Sequence, residues 1–138
     1  MSEATVTRRT LSVLVENAAG VLSQVSRLFS RKGYNIESLA VGTTDDPAVS
    51  RITIEVMADE AMTEQIMNQL RKQFPVYSVQ ELKPERSIRR ELVMFKVRAE
   101  TPDIRTAGIQ IANIFRASIL DVSLKSLTQA FRAAKPFI

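Results

Sequence analysis

Apolar and polar positions change period several times along the chain. In residues 9–16 (RTLSVLVE), Leu11, Val13 and Val15 alternate with Thr10, Ser12 and Leu14, which predicts a strand with one apolar face. Asn17-Ala18-Ala19-Gly20 ends it. In VLSQVSRLFSRKG the period becomes helical. Val21, Leu22, Val25, Leu28 and Phe29 form one stripe, Arg31 and Lys32 suit the C-terminal end of the dipole, and Gly33 is a natural stop. Residues 34–42 predict a second strand, residues 43–47 (TTDDP) a hairpin turn, and residues 49–57 a third strand. Asp59 is placed to cap a helix over 60–73, with Met62, Ile66, Met67 and Leu70 as its apolar positions. Pro75 breaks that pattern, and residues 76–82 predict a fourth strand.

The order is strand, helix, strand, strand, helix, strand. Two such units with short connections fold as an α+β, ferredoxin-like arrangement: a four-stranded antiparallel sheet with both helices on one face. Ser12, Leu14, Ser50 and Ile52 suggest that the other face is mixed, and open edges with a partly apolar face favour pairing of two copies.

Residues 84–88 are polar and are expected to be a linker. Beyond it, residues 89–100 alternate strongly, with Val93, Phe95, Val97 and Ala99 as the cleaner core face. Thr101-Pro102-Asp103 combines a capping hydroxyl, a first-position proline and a first-turn acid, predicting a helix to about 115. Residues 117–123 predict a short strand. The expected division is a flexible N-terminus at 1–8, a first domain at 9–83, a partial second domain at 89–128 and a tail at 129–138.

Composition narrows the chemistry. The 138 residues contain neither cysteine nor histidine, which removes thiolate chemistry, disulfides and the commonest metal ligand. No catalytic or metal site is expected. No apolar run reaches 18 residues and no apolar segment follows the N-terminal arginines, so neither a membrane span nor a secretory signal is expected, and a cytoplasmic protein fits. Charge is uneven. Residues 1–83 hold nine basic and ten acidic side chains, a net −1, whereas residues 84–138 hold ten and five, a net +5. A basic segment suits an acidic protein face or nucleic acid, or is simply a solvated surface. The first and third strands carry no aromatic for base stacking, which argues against nucleic acid as a partner. An acylphosphatase-like enzyme would want an arginine in the loop near residues 16–22, and the nearest is Arg27.

Asn17 and Gly20 flank the start of the first helix. Free backbone N–H groups there can hold a carboxylate, glycine lets the backbone come close, and an amide can serve a carboxylate or an ammonium. A lone N-x-x-G also reads as a simple turn and cap.

The stretch ENAAGVLSQVSRLFSRKGYNIESLAVGTTDDPAVSRITIEV (16–56), with RRELVMFKVRAE and IFRASILDVSLKSLT, resembles the small regulatory subunit of acetohydroxyacid synthase, also called acetolactate synthase. The similarity covers roughly residues 8–128. It implies that the first domain is an ACT domain and that the chain is a non-catalytic regulatory subunit. Such a subunit activates a catalytic large subunit and mediates feedback inhibition by a branched-chain amino acid, usually valine. Thiamine diphosphate, FAD and magnesium are implied for that partner alone. Asn17 and Gly20 match the family's effector-binding residues. Ala18, Ala19 and Val21 flank them as backbone donors, and Asn35 matches a second position on the neighbouring chain of a homodimer. Ile36, Leu39 or Leu14 would supply the aliphatic pocket. The resemblance is expected to stop near Leu127-Thr128, leaving a truncated or divergent end. Another ACT-type sensor with a different partner, or a copy that keeps the fold without the regulation, is the alternative.

Overall fold

The computed structural model describes residues 5–134. The chain divides into two compact units, Met1–Arg86 and Ser87–Ile138.

In the first unit the elements run β1 (Thr7–Glu16), α1 (Val21–Lys32), β2 (Ile36–Thr43), β3 (Val49–Ala58), α2 (Glu60–Arg71) and β4 (Val76–Glu81). Their sheet is antiparallel throughout, in the order β2-β3-β1-β4. The alternation of β1 sets the register: Leu11 lies opposite Ile54, Val13 opposite Ile52 and Val15 opposite Ser50. Those apolar side chains, with Val56 and Val79, are closed off by Val21, Val25, Leu28 and Phe29 of α1 and by Ile66, Met67 and Leu70 of α2. Each such side chain contributes about 1.5–3 kcal/mol through burial.

Local chemistry fixes the helix ends. The Asp59 carboxylate accepts from the Met62 N–H at 2.7 Å and starts α2. Gly33, left-handed at φ 71°, ends α1, and the Tyr34 N–H returns to the Phe29 carbonyl at 3.0 Å. The Tyr34 and Phe29 rings then meet edge-on, 5.9 Å apart.

Two expectations for this unit change. The open face of the sheet is more polar than the pattern suggested. Ile52 pairs with Val13 on the helix side, while Thr53 and Glu55 stand opposite Ser12 and Thr10 on the open side. The parity of Ile52 with Ile54 decides this, because a strand has one period throughout. The boundary expected after residue 8 also moves. Thr7 and Arg8 already pair with Ala58 and Met57, and residues 1–4 lie outside the described residues.

A 3₁₀ turn, Pro84–Arg86, occupies the linker segment. The second unit contains β5 (Arg90–Arg98), α3 (Pro102–Ile114), β6 (Ser118–Val122) and β7 (Ser126–Ala134), with strand order β5-β7-β6. Thr101 caps α3 through the Ile104 N–H at 3.3 Å. The core is small: Ala99, Ala112 and Leu127 are its buried apolar residues on the helix side, while Ala130, opposite Met94, is buried on the other face of the sheet. Phe95 stacks edge-on with Phe131 at 5.5 Å but stays half exposed.

β7 corrects the expected tail at 129–138. Residues 129–134 belong to a strand paired with β5 from Arg90↔Ala134 to Arg98↔Ser126, and residues 135–138 lie outside the described ones. Its inward row is Leu127, Gln129 and Phe131, and the buried Gln129 donates to the Gly108 carbonyl at 2.9 Å. The second unit thus repeats β1–α1–β2–β3 of the first, down to the strand order.

Candidate functional site

The β1–α1 loop is built by one glycine. Gly20 sits at the N-cap of α1 with φ 86° and ψ −11°, in the left-handed region. Nothing lies within 4 Å of where its Cβ would be, so backbone conformation rather than crowding calls for glycine. The Gly20 carbonyl accepts the first helical bond, from the Gln24 N–H at 3.0 Å. The Val21 N–H reaches back to the Ala18 carbonyl at a long 3.4 Å. No side chain caps this helix and no acid stands in its first turn. The N–H groups of Leu22 and Ser23 therefore have no partner supplied by the helix, and the positive end of its dipole is uncompensated. α2 and α3, by contrast, each carry a side-chain cap and a first-turn acid.

Asn17 holds the loop in place. Its backbone N–H donates to the Ala48 carbonyl at 2.8 Å and its side-chain amide to the Pro47 carbonyl at 2.8 Å. This binds the loop to the β2–β3 hairpin, where Asp46 and Thr44 close the turn with their own side-chain bonds. The carbonyl oxygen of the Asn17 side chain is left as an acceptor. Ala18 and Ala19 are exposed, whereas the Val21 side chain is buried and offers only its backbone.

Asn35 lies elsewhere. It follows Gly33 and Tyr34 at the far end of α1, and its amide donates to Glu37 Oε1 at 2.9 Å. α1 has 12 residues, so the two ends of the helix are about 18 Å apart. Within one chain, Asn35 does not join Asn17 and Gly20. Ile36, next to it, pairs with Val56 and packs half-buried against the core. Leu39 pairs with Ile54 on the same side. Leu14 pairs with Arg51 and Ser78 on the open face, so the sheet separates it from the pocket expected with Ile36 and Leu39.

Arg105, in the second unit, was not singled out by the sequence. Its Nη2 lies 3.1, 2.8 and 2.9 Å from the carbonyl oxygens of Ala99, Ser123 and Leu124, joining α3 to the end of β5 and to the β6–β7 turn. A single basic residue on a helix has no pattern that would reveal this. Among the described residues no group of three acidic, histidine or cysteine side chains could hold a metal, and no helix is long and apolar enough to cross a membrane.

A four-stranded antiparallel sheet with two helices on one face is a ferredoxin-like fold, and the uncapped glycine turn leading into the first helix fits its small-molecule-sensing class, the ACT domain. The AHAS small subunit-like ACT domain family matches residues 11–78, and the family described as the small subunit of acetolactate synthase matches residues 90–133. The chain belongs to the acetolactate synthase small-subunit family. It is 51% identical over 119 residues to the acetolactate synthase small subunit of Mycobacterium leprae, covering 86% of this chain and 70% of that protein. The small subunit of Haemophilus influenzae is 49% identical over 121 residues, 88% of this chain and 74% of its own length. A crystal structure of the Thermotoga maritima small subunit superposes with a TM-score of 0.83 at 34% identity, covering 94% of this chain and 80% of that one. The second match runs past Leu127-Thr128 to Ala133, so the resemblance continues through most of β7, where it was expected to stop. Membership gives the chain a regulatory role in the acetolactate synthase complex, with a catalytic large subunit as its partner.

Proposed function

We propose that the chain is the feedback sensor of that complex and that it binds valine at the β1–α1 loop. The uncapped, acid-free start of α1 behind a left-handed Gly20 is the observation that carries this reading. An α-carboxylate satisfies the orphan N–H groups and the dipole together, as helix N-termini do for anions generally. The Asn17 side-chain oxygen is then available to the α-ammonium. Ala18, Ala19 and Val21 contribute backbone, and the aliphatic side chain packs towards Ile36 and Leu39.

The site is completed by a second copy. β2 is an edge strand, and Leu39 and Val41 are 37% and 48% exposed on it. Two copies joined antiparallel through β2 form one eight-stranded sheet and cover those side chains. That pairing brings the Ile36 end of one β2 to the Thr43 end of the other. Thr43 leads into the hairpin to which Asn17 is bonded. Asn35 and Ile36 of one copy thereby approach Asn17 and Gly20 of its partner, although α1 keeps them apart within a chain. Valine bound across the seam stabilises the dimer, and by linkage it biases whatever conformation the dimer offers the large subunit. Activation of that subunit and its feedback inhibition both follow from this assembly. Thiamine diphosphate, FAD and magnesium stay with the catalytic partner, in the cytoplasm.

Calorimetric titration of valine into the purified chain, with leucine and pyruvate as comparisons, tests the reading. Saturable valine binding that is lost in Gly20→Asp is the expected result, because the new acid stands where the carboxylate belongs. Equal valine affinity in that variant overturns the site.

A further inference from the structure

We propose that the open face of the second sheet docks onto an acidic patch of the catalytic large subunit. This rests on the reading that the chain assembles with that subunit, and adds which surface is used and what chemistry it meets.

The register of β5 and β7 aligns one row of side chains. Arg90, Leu92, Met94, Lys96 and Arg98 point away from α3, with Arg132 opposite Leu92 and Thr128 opposite Lys96. Alternate residues of a strand are about 7 Å apart, so this row extends over about 27 Å. Its centre is apolar and open: Leu92 is 60% and Met94 65% exposed. Its surround is cationic. Arg90, Lys96 and Arg132 take part in no ion pair among the described residues, and Arg98 reaches Glu100 only at 3.8 Å, both side chains being more than half exposed. Such an exposed pair holds its partners weakly. Besides Glu100 at its edge, the acid that shares the face is Asp121, and it lies on the far strand β6.

The first sheet's open face differs. Thr10, Ser12 and Thr53 line it, and its Arg8 is paired with Glu55. An apolar centre within a charged rim is the anatomy of a protein interface, and unpaired rim charges steer a complementary partner and raise its association rate. A second copy is a poor occupant, because two-fold pairing of this face sets cations against cations. Nucleic acid is also disfavoured. The aromatics that could stack bases, Phe95, Phe115 and Phe131, cluster on the α3 side of the sheet.

The test measures binding of the full chain to the catalytic large subunit from the same organism, by surface resonance over a range of salt. Lys96→Glu with Arg132→Glu is expected to weaken binding about tenfold or more, mainly through slower association, and to flatten the salt dependence. Lys96→Gln with Arg132→Gln gives a smaller loss in the same direction, which keeps the test sound if charge reversal disturbs folding. Valine titration of both variants stays at the wild-type value. Equal affinity and equal salt dependence for wild type and both variants overturn the inference while leaving the assembly reading intact. Failure of the wild type to bind the large subunit overturns both. Fluorescence anisotropy with a short single-stranded oligonucleotide separates the remaining source. Tight oligonucleotide binding lost in the variants, with large-subunit affinity unchanged, assigns the face to nucleic acid and overturns the proposal.

Discussion

The Asn17 side-chain amide donates to the Pro47 carbonyl at 2.8 Å, so the loop before α1 and a hairpin 30 residues further on are held as one piece. Asn17→Ala removes this exposed bond and is expected to cost about 0.5–1.5 kcal/mol of stability. Valine affinity should fall by about tenfold or more, since the same side chain is proposed to face the ammonium. Thermal unfolding and calorimetry read the two effects separately. A variant that loses stability and keeps full valine affinity would show Asn17 to be a brace only.

Gly20 makes a purely conformational prediction. A methyl group added there meets no atom within 4 Å, but φ stays at 86°. Gly20→Ala should cost about 1–2 kcal/mol in denaturant titration, and Gly20→Asn less, because asparagine visits the left-handed region more readily. Equal destabilisation by the two would point to crowding instead.

Arg9 and Glu81 form an ion pair at 3.1 Å with side chains 22% and 16% exposed, and the Arg9 Nε is buried without a hydrogen-bond partner. Removing one partner leaves the other charge poorly compensated. Glu81→Ala is expected to cost about 1–3 kcal/mol, below the range for fully buried pairs because water still reaches both groups. The double variant Arg9→Met, Glu81→Met should return to within about 1 kcal/mol of the parent. A double-mutant cycle in urea checks both values, and a double variant worse than either single one would contradict them.

Arg105→Ala should loosen the β6–β7 turn at a cost of about 1–2 kcal/mol, by removing charge-assisted bonds to three carbonyls. Arg105→Lys should recover part of this, since all three contacts come from one nitrogen and an ammonium offers three donors, although on a shorter side chain. Hydrogen exchange at the Ala99 N–H, which bonds to the Lys125 carbonyl at 2.8 Å, gives a local readout. Unchanged protection there would mean that the turn holds itself.

Much of this fold was legible because its signals are local. The alternation of Leu11, Val13 and Val15 foretold the face β1 buries, and Asp59 and Thr101 announced the helices they cap. β7 escaped for a physical reason. Its inward row is interrupted by Gln129, and only the Gly108 carbonyl of a different element makes a buried amide acceptable there. Arg105 escaped likewise, since its three acceptors are set by tertiary folding. Of the candidate site, the Asn17–Gly20 turn could be read from residue types. The separation of Asn35 from it was legible too, because the helical period from Val21 to the Gly33 stop puts Gly20 at one end and Asn35 beyond the other.

The length of α1 has a genetic consequence. With Gly20 before its first turn and Asn35 beyond its last, each site of the proposed dimer would draw on two different chains. A chain damaged at Gly20 and another damaged at Asn35 are each inert alone. Mixed and allowed to re-pair, they form hybrids in which one seam collects both lesions and the other collects none. Random re-pairing returns roughly a quarter of the sites to wild type. Two loss-of-function alleles of this one gene should therefore complement each other in the same cell.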